Sequence, residues 1–186
     1  MPISISPNLK DLRTKILNWF IHSSGIQNVY WANQSFNNPV RPYATLNVLT
    51  YLPSPGLPEK TTVEMNNEVY FDTREIQDLI LSVNFYTLCQ ELDNDALWYI
   101  NKFIKTIMTE ENRSLLEDEK IVYVSRSDIR NLDNQSGDEW EKRTQVDLTL
   151  RYMSTTREFV GYINQVKGEG TYKNDKGDSF NQQIDV

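Results

Sequence analysis

The sequence predicts an α+β fold: a mostly antiparallel (mixed) sheet, two main helices packed on it, one protruding hairpin or loop, and a flexible C-terminal tail. Three observations predict it. In the run 143–153, Val146, Leu148, Leu150 and Tyr152 alternate with Gln145, Asp147, Thr149 and Arg151. In the run 79–86, Leu79, Leu81, Val83 and Phe85 alternate with Ile80, Ser82, Asn84 and Tyr86. Strand side chains point to opposite faces in turn, so each run can pack one face on a core and leave the other wet. Third, two segments space their apolar residues by three and four, the signature of amphipathic helices.

The elements follow in order. Residues 7–24 read as a helix, with Leu9, Leu12, Ile16, Trp19, Phe20 and Ser23 on one face. Ser6 is placed to cap it, Pro7 suits its first turn and Gly25 its end. Val29-Tyr30-Trp31 precedes a polar connector at 33–38. Pro39-Val40-Arg41-Pro42 is an extended entry, because both prolines disfavour helix. Tyr43–Tyr51 reads as a strand. Residues 52–58 carry three prolines and are expected to form a turn or exposed loop. Thr61–Phe71 resumes extended character, anchored by Val63, Met65, Val69 and Phe71. These two segments are expected to form a long protruding hairpin. The main strand runs from about Arg74 to Leu88.

Asp93 or Asn94 can cap a second helix over 94–109, whose stripe is Ala96, Leu97, Ile100, Phe103, Ile104 and Ile107. A turn through Asn112 leads to Leu115-Leu116, then a short strand at Ile121–Ser125. Residues 128–137 are polar and turn-rich. Trp140–Met153 and Phe159–Val166 form a closing strand pair, joined by Ser154-Thr155-Thr156. From Lys167 glycines and charges dominate, and few apolar residues remain to offset ordering entropy. The expected organisation is therefore one domain over 1–166 and a flexible arm over 167–186, the arm becoming ordered if a neighbour holds it.

Composition bounds the function. The chain has 186 residues, 39% of them hydrophobic, enough for a proper core. No apolar stretch approaches the roughly 18 residues of a membrane span, so no membrane is expected as partner. The N-terminal Met1-Pro2-Ile3-Ser4-Ile5-Ser6 lacks a basic region followed by an apolar block, and no secretory signal is expected. A single cysteine rules out an intrachain disulfide and suits a reducing compartment. The net charge of −7 argues against gripping nucleic acid, whose phosphates are neutralised by Lys and Arg.

Catalytic patterns are missing. Cys89 and His22 match no zinc spacing and read as packed residues rather than a nucleophilic pair. No glycine-rich phosphate loop or nucleophile elbow is present, and no cofactor or metal is expected. Glu110, Glu111, Glu117, Asp118 and Glu119 read as a solvated connector, with an acidic surface facing a channel as a smaller alternative. Aromatic residues concentrate in interface cores, and Trp31, Tyr43, Tyr70 and Trp140 stand near element ends where they could serve contacts between chains. No enzymatic activity is expected.

Three segments carry a family resemblance. Asn38-Pro39-Val40-Arg41-Pro42-Tyr43-Ala44-Thr45-Leu46-Asn47-Val48 looks like a recurring entry to an early strand. Leu81-Ser82-Val83-Asn84-Phe85-Tyr86 and the helix containing Ala96 resemble a strand–helix junction, with Thr87 where a glycine is common. Trp140-Glu141-Lys142-Arg143-Thr144-Gln145-Val146-Asp147-Leu148-Thr149-Leu150 resembles a closing strand. Together, over about residues 10–166, they resemble the neck or tail terminator proteins of tailed bacteriophages.

The resemblance implies a structural virion protein of the tail and neck, assembled in the host cytoplasm. It implies a homohexameric ring that terminates the tail tube and joins it to the head connector, with DNA passing through the lumen. The implied partners are its own copies, the tail tube protein, head-connector and neck proteins, and sheath if the tail is contractile. Arg41, Arg143, Asp147 and Arg151, from these segments and their polar face, join the four aromatics as interface candidates. The alternatives are a connector adaptor or tail-tube subunit, and last a small hydrolase using Cys89 or the acidic connector.

Overall fold

The computed structural model describes the backbone of residues 3–6, 9–32, 39–53, 56–66, 68–88, 95–136, 139–161, 167–173 and 179–185, and side chains over most of these before 162. The elements are β1 (Ile3–Ser6), α1 (Leu9–Ser24), β2 (Val29–Trp31), β3 (Tyr43–Pro53), β4 (Glu59–Met65), β5 (Glu68–Leu88), α2 (Ala96–Ile107), α3 (Glu110–Asp118), β6 (Ile121–Arg126), β7 (Arg130–Asn131), β8 (Asn134–Ser136), β9 (Glu139–Gly161), β10 (Lys167–Lys173) and β11 (Ser179–Asp185). The α+β class stands. Nine strands form one open sheet with the path β1-β9-β5-β3-β2, all pairs antiparallel except β2 with β3.

Two strands form the spine. β5 has 21 residues and β9 has 23, and they pair from Val69↔Gly161 to Leu88↔Glu141. Along the outer edge of β5, β3 covers 77–86 and β4 covers 68–74. Along the outer edge of β9, β8, β7 and β6 cover its first half and β1 pairs with Thr155–Arg157.

The helices cover only half of this ribbon. Leu79, Leu81, Val83, Phe85, Val146, Leu148 and Leu150 are fully buried on the face that receives α1 and α2, as their alternation predicts. Phe103 of α2 sits among Trp19, Phe20 and Phe85, tying both helices to the sheet. Thr144 Oγ1 also donates to the Ala96 carbonyl at 2.9 Å, pinning the start of α2 to β9. Beyond Gln77 and Met153 no helix among the described residues covers the ribbon. There β4, β5, β9 and β1 form a bare sheet, called the arm below.

Several expectations are corrected. Ser154-Thr155-Thr156 is no turn: β9 runs straight through it, opposite Glu75, Arg74 and Thr73. β-branched threonines suit a strand, and the segment has no glycine or proline to break it. The segments 43–51 and 61–71 do not pair with each other. The first lies along β5, while the second spans β4 and the start of β5, which pair with each other as the protruding hairpin, turned at Asn66 with φ 53°. Asn tolerates that left-handed conformation better than most residues. Met65 and Phe71 are exposed there rather than anchoring a core.

Leu52 and Pro53 extend β3 instead of starting a loop; Pro53 ends the strand, where a missing N–H costs little. The N-cap of α2 is Asp95, whose Oδ1 accepts from Trp98 N at 2.8 Å. Leu97 is largely exposed rather than on the packed stripe. The polar stretch 128–137 contributes β7 and β8.

The connector after α2 is the helix α3. Asn112 is buried in its first turn, where its backbone carbonyl accepts from Trp19 Nε1 at 3.1 Å and its Oδ1 from Ser23 Oγ at 2.7 Å. Gly25, at φ 72°, ends α1 as expected, its N–H returning to the Ile21 carbonyl. The residues expected to form a flexible arm contain β10 and β11, paired as a two-stranded sheet. The connector at 33–38 and Cys89 lie outside the described residues.

Candidate interaction surface

The face of the spine away from the helices carries the even-numbered residues of β5 and the odd-numbered residues of β9. Register sets them opposite each other as rungs. Tyr43 stacks on Tyr86 with 4.4 Å between ring centres, and the Arg143 guanidinium lies over Tyr86. Arg143 also donates to Asn84 Oδ1 through Nε and Nη2, at 3.2 and 3.0 Å. Beside this, Arg41 donates twice to Glu141 Oε1, at 3.0 and 2.7 Å. Gln145 Nε2 donates to Ser82 Oγ at 2.8 Å and to Asp147 Oδ1 at 3.0 Å. Arg130 pairs with Asp147.

Further along, Arg151 grips Asp78 with two bonds of 2.7 and 2.9 Å. Arg157 grips Asp72 likewise, at 2.7 and 2.8 Å. This face is therefore a ladder of cross-strand arginine–carboxylate pairs rather than an unbalanced acidic wall. Paired and planar, such forks fix side-chain geometry.

The ladder shifts its own titrations. Hydrogen bonds from Arg157 and Arg151 hold the Asp72 and Asp78 carboxyls below their ordinary range. Burial, with Glu141 and Tyr86 adding, pushes the Tyr43 phenol up. A carboxyl lowered in the folded state contributes stability that is full above its unfolded pKa and is lost as pH falls through its folded one. Stability should therefore decline below the ordinary Asp value of about pH 4. The Asp72→Asn/Asp78→Asn variant should lose less with acid over that window, read as urea midpoints in a pH series. An unchanged slope would remove both pairs from the account.

The arm presents a different surface. Met65, Phe71, Ile76, Met153, Phe159 and Val160 are exposed there, while Asp72 is buried. Tyr70 meets Phe159 edge-on at 5.5 Å, lies under Arg157, and donates to Glu68. On the helical side of the molecule, Leu9, Lys10, Arg13, Thr14, Leu17 and Trp31 line a shallow groove between α1 and β2. The Arg13 guanidinium covers the Trp31 ring there, 5.4 Å from its centre.

The sequence-predicted candidates thus fall in four places. Arg41, Tyr43, Arg143, Asp147 and Arg151 join one ladder. Tyr70 is on the arm and Trp31 in the α1–β2 groove. Trp140 stands apart, more than half exposed at the start of β9. Sequence reasoning missed Glu141, Asp78, Asp72 and Arg157. Their common signal was parity along the two long strands, which becomes pairing only once the register is known.

The low-ranked chemistry gains no support. His22 is exposed rather than packed, 3.6 Å from Glu111 Oε1. The acidic residues belong to α3 and its end, not to a loose connector, and Glu119 pairs with Lys15. Among the described residues no His, Cys, Asp and Glu group is arranged to hold a metal, and no helix is long and apolar enough to cross a membrane.

A family model described as phage neck terminator protein matches residues 10–176, from the first turn of α1 past the end of β10. No curated protein matches the chain.

Proposed function

The chain belongs to the phage neck terminator family, and on that basis we propose that it closes into a homohexameric ring that ends the tail tube and joins it to the head connector. The observation that carries this reading is the family match, because it spans the spine, the helices and the arm together. The role is structural, in the neck of the virion. The mechanism is geometric. One ring face repeats the contacts of the tube's own subunits and the other does not, so addition stops after one layer. The second face is left for the connector, with sheath as a further partner in a contractile tail.

Contacts that join different patches of identical subunits close into a ring when their rotation divides a full turn. A two-faced ribbon with a bare arm and several exposed aromatics suits such contacts. Trp140, with the ladder residues Arg41, Tyr43, Arg143, Asp147 and Arg151, is proposed for the intersubunit, tube-facing or lumen surfaces. DNA passes through the lumen without being gripped. Arg41, Arg130, Arg151 and Arg157 already hold carboxylates, Arg143 is held by the Asn84 amide, and a net charge of −7 repels phosphate.

Negative-stain images and native mass of the purified protein, alone and with tail tubes, test the reading. Single-layer rings, free or capping one tube end, are expected. Open-ended polymerisation would identify a tube subunit instead, and a strict monomer with no affinity for tubes would contradict the ring.

A further inference from the structure

We infer that the ring contact is made by the β4–β5 arm of one copy seated in the α1–β2 groove of the next. This rests on the ring reading and names the surfaces that would build it. The arm and groove are different patches of one chain, so their contact is heterologous, as closure by rotation requires.

Both surfaces mix apolar and charged side chains, and the charges are opposite once Arg157, which reaches Met65 Sδ at 2.9 Å, is counted with the Asp72 that holds it. The arm tip carries Glu64 and Glu68 around Met65, and Met65 is 45% exposed. The groove carries Lys10 and Arg13 beside Leu9, Leu17 and Trp31, and Leu9 is 57% exposed. Among the described residues neither Glu64 nor Lys10 has an ion-pair partner, and Arg13 is engaged only by the Trp31 ring. Asp11, on the adjoining stripe of α1, is the acidic residue beside the groove.

Reach is sufficient. The β5 residues 68–77, beyond the helix-covered body, span about 33 Å at the rise of a strand. Among the described residues nothing buries the apolar side chains at the arm's end, although β4, β5 and β9 hold it in register. A protruding sheet with exposed apolar residues on both faces gains most by burial against another molecule.

The test is a charge swap in the full chain, read as the concentration at which rings form. Glu64→Lys and Lys10→Glu should each raise that concentration about tenfold or more, since like charges brought together across an interface are strongly disfavoured. The combined Glu64→Lys/Lys10→Glu protein should recover most of the loss. In a Cys89→Ser background, Met65→Cys with Thr14→Cys should give cross-links between subunits on oxidation, and neither cysteine alone should do so.

Rings unaffected by either charge reversal, or formed without any 65–14 cross-link, would overturn the arm–groove contact and leave the ring intact. A wild-type protein that makes no ring would overturn the functional reading, and the arm contact with it.

Discussion

Replacing Phe103 with Ala is expected to destabilise the protein by about 3–5 kcal/mol, the usual cost of emptying a large buried aromatic site. Phe103 is fully buried, with ring centres of Trp19, Phe20 and Phe85 at 5.8, 4.9 and 5.8 Å. Those neighbours belong to α1 and β5, so the cavity opens where both helices meet the spine. Collapse around it would require moving two helices against a sheet, and relaxation should be small. The loss should appear as a lower urea midpoint with an unchanged slope, since the substitution changes little of the surface exposed on unfolding. Leu97→Ala, on the exposed side of the same helix, should cost well under half as much. Equal losses at the two positions would show that the helix–sheet core does not hold the fold.

Thr155→Pro is expected to release the arm while leaving the body folded. Thr155 faces Arg74 of β5 on one side and Ser6 of β1 on the other, so its N–H lies in a ladder whichever way it points. Proline removes that donor and does not fit the middle of a sheet. Leaving a partner carbonyl unsatisfied typically costs about 1–3 kcal/mol, and the arm has no helix packing to absorb it. Amide exchange in β4, the first part of β5 and the last part of β9 should accelerate strongly. Protection at 79–86 and 143–152 should persist. Thr155→Ala should change little. Ring assembly should fail in the proline variant if the arm makes the contact. Retained protection throughout the arm would show that β9 tolerates a break at 155.

Local chemistry made much of this fold readable. The alternation in 79–86 and 143–153, the stripe of α2 and the glycine stop of α1 each depend on neighbours within a few residues. Three features were not local. α3 is a short, mostly charged helix whose place is set by Asn112 bonding back to Trp19 and Ser23, residues about ninety positions away. Ser154-Thr155-Thr156 reads as a turn by composition, yet β5 and β1 on either side draw it into the sheet. Leu52 and Pro53 read as breakers, yet a partner strand at 77–78 carries them to the end of β3.

The candidate surface divides in the same way. Trp31, Tyr70 and Trp140 could be singled out because aromatics near element ends are conspicuous. The ladder could be seen only from one side: Arg143, Asp147 and Arg151 mark the polar face of β9, but Asn84, Asp78 and Glu141 become partners through register. Arg157 and Asp72 were hidden because the expected turn separated them. The groove at Trp31 joins residues from a helix and an edge strand, and no spacing in the chain announces it.

The central claim is that this protein ends the tail tube. The most direct measurement is the length distribution of tail tubes assembled with and without it. With the purified protein present, tubes should stop at a defined length, each carrying one added ring at a single end and able to join heads. Without it, tubes should overgrow and heads should remain unjoined. Identical length distributions in the two preparations, with no added ring on the tubes, would contradict the account.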